Sequence, residues 1–499
     1  MAIHRRYIYD HLSLKTNSMR IPYILTTLLV VVNSYLSQSQ EDTHQLEERI
    51  ARIENGLQSN LQIQYGDSIS IQYYNIEDRM KELNIPGLSI ALMNNGVIEW
   101  AKGYGIADST EHRKVTTKTL FQAGSISKPV AATRIHQLVE KGVINLDTDV
   151  NEYLKNWKLP NNEFTATKKA TPRGLLTHAA GLTVHGFPGY SRSDTIPSVV
   201  DILDGKGNTA PVRVFRAPGE GWKYSGGGYT IMQLMITDME QKEFSEIMQE
   251  HVLHPLGMTN STYSNPLPKP YHHLAATGHY SDGVPVEGKW HVYPEMAAAG
   301  LWTTPSQLVL WTKEIQDVLQ TQKDGFRKAQ TVNDMLTEYR GNQGLGPYVL
   351  EHTFGHGGAD EGFRADLRAW KEQPISVAMM SNSDNGSAIM QEIFLSIAQE
   401  YNLPDVYPRK RVFNKQFQKD LERFVGNYNF PANGDATITI KDHGLEFNGE
   451  IFQGPGVFLL PETDRLFFNQ ETGTYYEFEF ENDTVTSVQF SRFKAKKIN

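Results

Sequence analysis

The 499-residue sequence contains no cysteine. This absence excludes disulfide bonds, thiolate metal sites, a cysteine nucleophile and a lipid anchor attached through cysteine, and it leaves the redox compartment undetermined. Positive charge is not in excess either, because 48 Lys and Arg stand against 57 Asp and Glu and give a formal net charge of -9. Such a chain lacks the basic surface that nucleic acid requires, so we expect no nucleic-acid partner. The remaining composition is that of a globular protein of two or three domains.

A single long apolar run stands near the N-terminus. Basic residues at positions 5, 6, 15 and 20 precede the uncharged stretch 21–36, and Ser37-Gln38-Ser39 then offers small residues for cleavage. This pattern predicts a secretory signal peptide over residues 1–39, with Met19 as an alternative start, and hence export to the periplasm or the exterior. An uncleaved anchor, with membrane contact through this segment only, is the competing interpretation.

The rest of the chain divides by its patterning into four parts. Apolar residues at helical spacing after position 40 predict a short amphipathic helix that breaks near Gly56, within a helical spacer over residues 40–72. A folded domain follows over residues 73–402, opening with a helix and a hairpin around Asn94-Asn95-Gly96, whose Asn-Gly pair suits a tight strand turn. Proline and basic residues predict a linker over residues 403–420. Seven short alternating segments over residues 421–499 then predict a small antiparallel barrel or sandwich.

The stretch from Phe121 to Val130 reads as a loop that enters a helix, with Ser125 at the helix start and Lys128 one turn later. Positions three apart share a helix face, so the Lys128 amine can reach the Ser125 hydroxyl and, if desolvation keeps it neutral, take its proton. The unpaired N–H groups of the first turn favour the oxyanion that forms when a hydroxyl attacks a carbonyl. Ser-x-x-Lys alone also occurs by chance, so the prediction depends on the blocks that follow.

Two further stretches carry groups that can transfer protons. Residues 146–182 are expected to be mostly helical with loops. Within them, the block 171–182 has Thr171 as a helix N-cap and contains His178, which we interpret as a structural hydrogen-bonding residue rather than a base. The loop 218–229 is rich in glycine, which permits close approach of a substrate, and Tyr224 is its titratable group placed to shuttle protons. The alternative for Tyr224 is an aromatic side chain packed under a flexible loop. Small residues over 294–305 predict a close-packed turn beside the site. The glycine-rich segment 354–364 is expected to be a loop that leads into a strand ending at Trp370.

Four blocks in chain order carry a family resemblance: Ser125-x-x-Lys128, Leu-Leu-Thr-His-x-x-Gly-Leu at 175–182, Tyr224-Ser225, and His356-Gly357-Gly358. Together they resemble the penicillin-recognising serine hydrolases, in particular the branch related to class C β-lactamases, and the C-terminal part resembles the lipocalin-like β domain that follows this fold in bacterial members. The resemblance implies an α/β (α+β) chain with the β-lactamase/transpeptidase-like fold. That fold is an antiparallel sheet flanked by helices beside an all-helical lobe, here followed by a small all-β barrel.

The resemblance also assigns roles to single positions. It implies Ser125 as nucleophile, Lys128 as its base and Tyr224 as the group that carries the proton to the leaving atom and later activates water. His356, Gly357 and Gly358 fall where the family has Lys-Thr-Gly, and in that register the N–H groups of Ser125 and Ala359 form the oxyanion hole. No cofactor or metal is expected.

Two departures from the family pattern narrow the expected substrate. The tyrosine motif ends in Gly226, where the family has an asparagine, and His356 replaces the lysine that helps recognise the penicillin carboxylate. A permanent ammonium and a switchable imidazole do not select the same anion. We therefore expect an exported serine hydrolase that cleaves an ester or amide of a small molecule or peptide through an acyl-enzyme. The alternatives are a true β-lactamase or D-alanyl-D-alanine carboxypeptidase, and a ligand-binding sensor without turnover.

Overall fold

The computed structural model describes residue 41 and residues 43–69, 71–431, 434–452, 456–491 and 493–498. The chain divides into two units, residues 1–55 and 56–499. The predicted signal peptide over residues 1–39 lies outside the described residues. Across the described ranges, none of the helices combines the length and apolarity needed to cross a bilayer.

The elements follow one another in this chain order. The described part of the first unit forms helix α1 over residues 43–55. The second unit opens with β1 (Leu57–Gln58), β2 (Leu61–Tyr65), β3 (Ser68–Ile69), β4 (Tyr73–Tyr74), α2 (Ile76–Glu82), β5 (Gly87–Asn94), β6 (Val97–Asp108), β7 (Arg113–Lys114) and β8 (Phe121–Gln122). A short 3-10 turn, Gly124–Ile126, leads into α3 (Ser127–Glu140), α4 (Pro172–Leu176), α5 (Val199–Leu203), α6 (Gly226–Glu240), α7 (Phe244–Met248) and α8 (Met296–Ala299). Then come β9 (Trp302–Thr303), α9 (Pro305–Thr321), α10 (Ala329–Met335), β10 (Tyr348–Val349), β11 (Thr353–Asp360), β12 (Phe363–Trp370), β13 (Ile375–Ser381) and α11 (Gly386–Tyr401). The C-terminal part contains β14 (Arg409–Phe413), a 3-10 helix (Lys415–Phe424), β15 (Gly426–Phe430), β16 (Gly434–Lys441), β17 (Gly444–Gly449), β18 (Val457–Pro461), β19 (Leu466–Asn469), β20 (Tyr475–Glu481), β21 (Thr484–Phe490) and β22 (Phe493–Lys497).

A seven-stranded antiparallel sheet organises the hydrolase part, in the order β10-β11-β12-β13-β5-β6-β7. The predicted hairpin is present, since β5 and β6 pair around a turn in which Asn95 and Gly96 have φ of 50° and 75°. Both central strands, β5 and β13, are buried along almost their whole length because helices cover the two faces of the sheet.

The two faces of the sheet bury different helices. Side chains alternate along a strand, so Ala91 and Met93 point to one face and Leu88, Ile90 and Leu92 to the other. Ala91 and Met93 share a core with the helices α3 and α9. Helix α11 packs on β12 and β13. The predicted antiparallel sheet with flanking helices is therefore confirmed. The 3-10 turn that carries Ser125 lies against strand β11, and α3 with Lys128 follows directly.

Three expectations about local structure are wrong. The predicted helical spacer 40–72 is helical only as far as Asn55, and strands β1 to β4 follow. Strands form there because apolar residues of 57–69, such as Leu61 and Ile63, alternate with polar ones instead of recurring every three or four positions. The predicted linker 403–420 includes β14, which pairs in parallel with β2. Residues 146–182, expected to be mostly helical, hold only two 3-10 turns and the five-residue α4.

The C-terminal region is a closed barrel of eight antiparallel strands, β15 to β22, which decides between the predicted barrel and sandwich. Its interior is filled by aromatic rings, including Phe424, Tyr428, Phe447 and Phe478, all buried. Sequence analysis found seven of these strands and missed β22, whose lysines conceal the alternation. Pairing of β22 with both β15 and β21 closes the barrel.

Candidate active site

A tight turn holds Ser125 against strand β11. Gly124 has φ of 50°, and a Cβ at this position would lie 2.4 Å from the Ala359 nitrogen. A Cβ at Gly358 would lie 2.0 Å from the Ala123 oxygen. Only glycine permits such close backbone contact at these two positions. Glycine lowers strand propensity, which is why the 355–358 segment was expected to be a loop entering a strand, whereas the structure places it within β11.

The predicted nucleophile and base are neighbours. Lys128 Nζ lies 2.9 Å from Ser125 Oγ and donates a 2.8 Å hydrogen bond to the carbonyl oxygen of Ala298. Ser127 fixes the turn between them, since its hydroxyl donates to Gly124 O and accepts from Leu301 N–H. The predicted close-packed turn at 294–305 is thus confirmed, because its α8 carbonyl orients the lysine.

Burial determines the protonation of this lysine. Lys128 is 2% exposed, and removal from water lowers the pKa of its amine to about 7, although the nearby carboxyl of Asp360 opposes the shift. A large fraction of Lys128 is therefore neutral near pH 7. A neutral amine in contact with a hydroxyl can accept its proton.

Tyr224 completes the group around Ser125. Its hydroxyl lies within hydrogen-bonding range of the Ser125 side chain, and its ring centroid is 4.9 Å from Lys128 Nζ. Burial raises the pKa of Tyr224 well above its usual value, so the phenol keeps its proton at neutral pH. The structure therefore brings Ser125, Lys128 and Tyr224 together, although they are far apart in the sequence.

His178 lies in the wall of the site rather than beside the serine. Its Nδ1 accepts a 3.1 Å hydrogen bond from Ser225 N–H, and its ring packs 4.2 Å from the ring of Tyr224. Burial lowers the pKa of His178 well below its usual value, which keeps the ring neutral. This placement agrees with the interpretation of His178 as a structural residue that supports Tyr224.

His356 is a neutral imidazole. Its Nδ1 donates to the Gly357 carbonyl oxygen at 2.6 Å, which leaves Nε2 as an acceptor that is buried and without a partner in the structure. Burial, with a smaller effect from Lys128, lowers the pKa of His356 to about 3. The residue that replaces the family lysine therefore carries no positive charge at neutral pH.

Two buried carboxyl groups adjoin the site and were not found from the sequence. Asp360 accepts a hydrogen bond from Gly124 N–H, and burial raises its pKa well above its usual value. Its Oδ2 has no partner among the residues that the structure describes. Glu295 precedes α8 and is fully buried, and within the described ranges neither of its carboxyl oxygens has a partner outside its own residue. Burial raises the pKa of Glu295 to about 8. No sequence motif identifies either acid, because their burial results from the tertiary fold and not from the spacing of neighbouring residues.

A cleft of about 390 Å³ opens onto Ser125. Aromatic side chains line one part of it, namely His185, Trp222, Tyr224, Tyr348 and His356. Tyr348 stacks on His356 with centroids 4.5 Å apart. Sequence analysis missed Tyr348 and Trp222, and the only signal was their position beside glycine-rich stretches. Gly357, Gly358 and Ala359 also line the cleft.

The cleft carries little fixed positive charge. Arg364, the one arginine that lines it, makes a 2.8 Å ion pair with Asp384 and donates to two backbone carbonyl oxygens. Within the described residues, no group of three or more His, Asp or Glu side chains is arranged to hold a metal ion.

Comparison with known proteins agrees with this geometry. Residues 75–401 match the β-lactamase family model, and residues 410–499 match a domain of unknown function, DUF3471. The chain is 24% identical over 323 residues to the putative penicillin-binding protein PbpX of Bacillus subtilis, an alignment that covers 63% of this chain and 75% of PbpX.

Solved structures show the same fold. The octameric penicillin-binding protein homologue from Pyrococcus abyssi superposes with a TM-score of 0.58 at 20% identity, covering 84% of this chain and 98% of that one. A D-amino acid amidase from Ochrobactrum anthropi superposes with a TM-score of 0.54 at 20% identity, covering 65% of this chain and 97% of that one. The chain belongs to the β-lactamase family of serine hydrolases, and its β-lactamase/transpeptidase-like domain is followed by a closed β-barrel.

Proposed function

We propose that this protein hydrolyses an ester or amide through an acyl-enzyme formed on Ser125, with Lys128 as the base and Tyr224 as the proton shuttle. The observation that carries the proposal is the 2.9 Å contact between Lys128 Nζ and Ser125 Oγ at a lysine whose pKa burial lowers to about 7. A Ser-x-x-Lys sequence on a protein surface has neither the short contact nor the lowered pKa, because an exposed lysine stays charged at neutral pH.

The acylation step follows from the three side chains. Neutral Lys128 takes the Ser125 proton as Oγ attacks the carbonyl carbon, and the N–H groups of Ser125 and Ala359 receive the developing oxyanion. Tyr224 remains a phenol, so it relays the proton from Lys128 to the leaving oxygen or nitrogen by giving one proton and accepting another. In deacylation the same two groups remove a proton from water, which attacks the acyl carbonyl and releases Ser125.

The neutral imidazole of His356 favours ester, amide or peptide substrates over penicillins. A penicillin carries a carboxylate, and neither His356 nor the ion-paired Arg364 offers it an uncompensated cation. Aromatic rings in the cleft suit an apolar or aromatic group instead. Hydrolysis of D-amino acid amides, which the name of the Ochrobactrum neighbour indicates for that enzyme, is a substrate class that this cleft fits.

Labelling with a fluorophosphonate tests the nucleophile. The wild-type protein should be labelled at Ser125, and Ser125→Ala should not be labelled, with Ser68→Ala, at an exposed serine of β3, as the control that keeps the nucleophile. Unchanged labelling of Ser125→Ala would refute the assignment. Rates on an aryl acetate, a D-amino acid amide and a chromogenic cephalosporin then rank the substrate classes, and a cephalosporin rate above the other two would overturn our ranking.

Export is the second part of the proposal. The basic residues before position 21 and the apolar run over 21–36 support it. Fractionation of cells that express the full chain tests it: the protein should be found outside the cytoplasm with its first residue near position 40. An intact N-terminus in the cytoplasmic fraction would contradict it.

A further inference from the structure

A second cavity of about 450 Å³ lies next to the loop that leads to Tyr224. We call it the basic pocket, because Lys168, Lys169, Arg173 and Arg340 line it and none of its lining residues is Asp or Glu. It has no lining residue in common with the catalytic cleft. Nothing in the proposed hydrolysis uses this cavity.

Three of the four cations have no carboxylate to neutralise them. Arg173 is paired with Asp147 at 2.7 Å. Lys169 donates only to the neutral side-chain oxygen of Asn161 at 2.8 Å, and Arg340 donates to the backbone oxygen of Glu220 at 2.9 Å. In the part of the chain that the structure describes, Lys168, Lys169 and Arg340 take part in no ion pair. All three side chains are exposed, so water screens their mutual repulsion, and they remain available to an anion that enters the pocket.

We propose that the basic pocket binds a small polyanion, either a phosphate ester or a polycarboxylate. A ligand with a single negative charge would not neutralise the three cations. A ligand with two or more anionic groups can place each of them against an ammonium or guanidinium donor. Pro218 and Tyr339, the latter 40% exposed, give the pocket an apolar wall for the body of the ligand. The volume suits a metabolite-sized molecule.

The pocket shares backbone with the catalytic wall. Gly219, which lines it, donates a 2.8 Å hydrogen bond to Ala179 O, next to His178. Arg340 precedes Gly341, where a Cβ would lie 3.0 Å from the ring of Trp222 in the cleft. A ligand bound to Arg340 would therefore contact the segment at Arg340 and Gly341 that packs against Trp222, and it would not occupy the cleft at Ser125.

Titration calorimetry with pyrophosphate and with citrate, at low salt, tests the proposal. One probe or both should bind at one saturable site, more weakly as salt is added. Lys168→Ala/Lys169→Ala should weaken binding at least tenfold, and so should Arg340→Ala. The matched control, Lys118→Ala/Lys323→Ala, removes the same charge from exposed positions outside the pocket and should change binding less than twofold.

A cooperative thermal unfolding transition close to that of the wild type shows that each variant is folded. Tighter binding of pyrophosphate would identify the ligand class as phosphate esters, and tighter binding of citrate would identify it as polycarboxylates. Absence of saturable binding by both probes would overturn the proposal. So would an equal loss of binding in the control variant, since that would show attraction by net charge alone.

Discussion

The interior around Ser125 and the interior of the C-terminal barrel are built from opposite kinds of side chain. Around Ser125, several buried polar groups have no partner in the part of the chain that the structure describes: His178 Nε2, His356 Nε2, Asp360 Oδ2 and both carboxyl oxygens of Glu295. Among the described barrel residues no buried side-chain nitrogen or oxygen lacks a partner, and aromatic rings fill the core. Unpaired buried polar groups destabilise a protein, so they persist where they serve chemistry.

We infer from this difference that the interior around Ser125 serves turnover and that the barrel interior serves stability. In the hydrolase part, burial shifts the pKa values of Lys128, His356 and Glu295 by several units. In the barrel, the close edge-to-face phenylalanine rings, for example Phe424 and Phe478 at 4.7 Å, contribute packing energy and carry no titratable group. Substitutions in the two regions should therefore separate activity from stability.

The largest effect is expected at Lys128. Lys128→Ala should lower kcat by several orders of magnitude, nearly as much as Ser125→Ala, because nucleophile and base act as a unit. In the wild type, kcat/KM should rise with pH through about 7 as Lys128 loses its proton and becomes able to accept one. A pH–rate profile without this rise, or a Lys128→Ala enzyme within tenfold of wild type, would contradict the assignment.

A smaller loss is expected at the proton shuttle. Tyr224→Phe keeps the ring that packs on His178 but removes the hydroxyl, so kcat should fall by about 10²–10⁴-fold, the range for general acid–base groups. Labelling of Ser125 by the fluorophosphonate should persist, since its leaving fluoride needs less proton transfer. Tyr348→Phe, which removes a cleft hydroxyl outside the group around Ser125, is the matched control and should stay within tenfold.

The barrel should give the reverse result. Phe478→Ala removes a buried ring from the barrel core, and it should lower the free energy of unfolding of the barrel by about 3–5 kcal/mol. Below the new unfolding temperature, kcat/KM on an ester should stay within twofold of wild type. A large loss of activity without loss of folding would show that the barrel takes part in catalysis.

The smallest effect is expected at Glu295. The pKa of Glu295 is about 8 in the folded state and lower in the unfolded state. Below the unfolded pKa the carboxyl group is protonated in both states and does not lower the free energy of unfolding. As the pH rises towards 8 the group increasingly lowers this free energy, and above pH 8 the full destabilisation is present. Each pKa unit corresponds to about 1.4 kcal/mol. Glu295→Gln should therefore stabilise the protein by a few kcal/mol at pH 9 and much less at pH 5. The exposed control Glu163→Gln should change neither value, and equal stability of Glu295→Gln and wild type at pH 9 would contradict the burial argument.

The sequence predicted the parts of the molecule that depend on local pattern. The hairpin at Asn95 and Gly96, the serine and lysine one turn apart, and most barrel strands are encoded in neighbouring residues. What it missed depends on the tertiary fold: β11 is a strand despite its glycines, because Gly358 must lie against Ala123. Likewise Asp360 and Glu295 adjoin the site through burial, which no spacing of residues announces.

The pKa of Lys128 is the quantity that tests the central claim most directly. Incorporation of 13C-labelled lysine allows each amine to be titrated by NMR, and Lys128→Met identifies the signal. We predict one lysine with a pKa near 7 that disappears in the variant. A Lys128 signal that titrates near the ordinary lysine value of about 10.4 would contradict the account, because a charged ammonium cannot take the proton of Ser125.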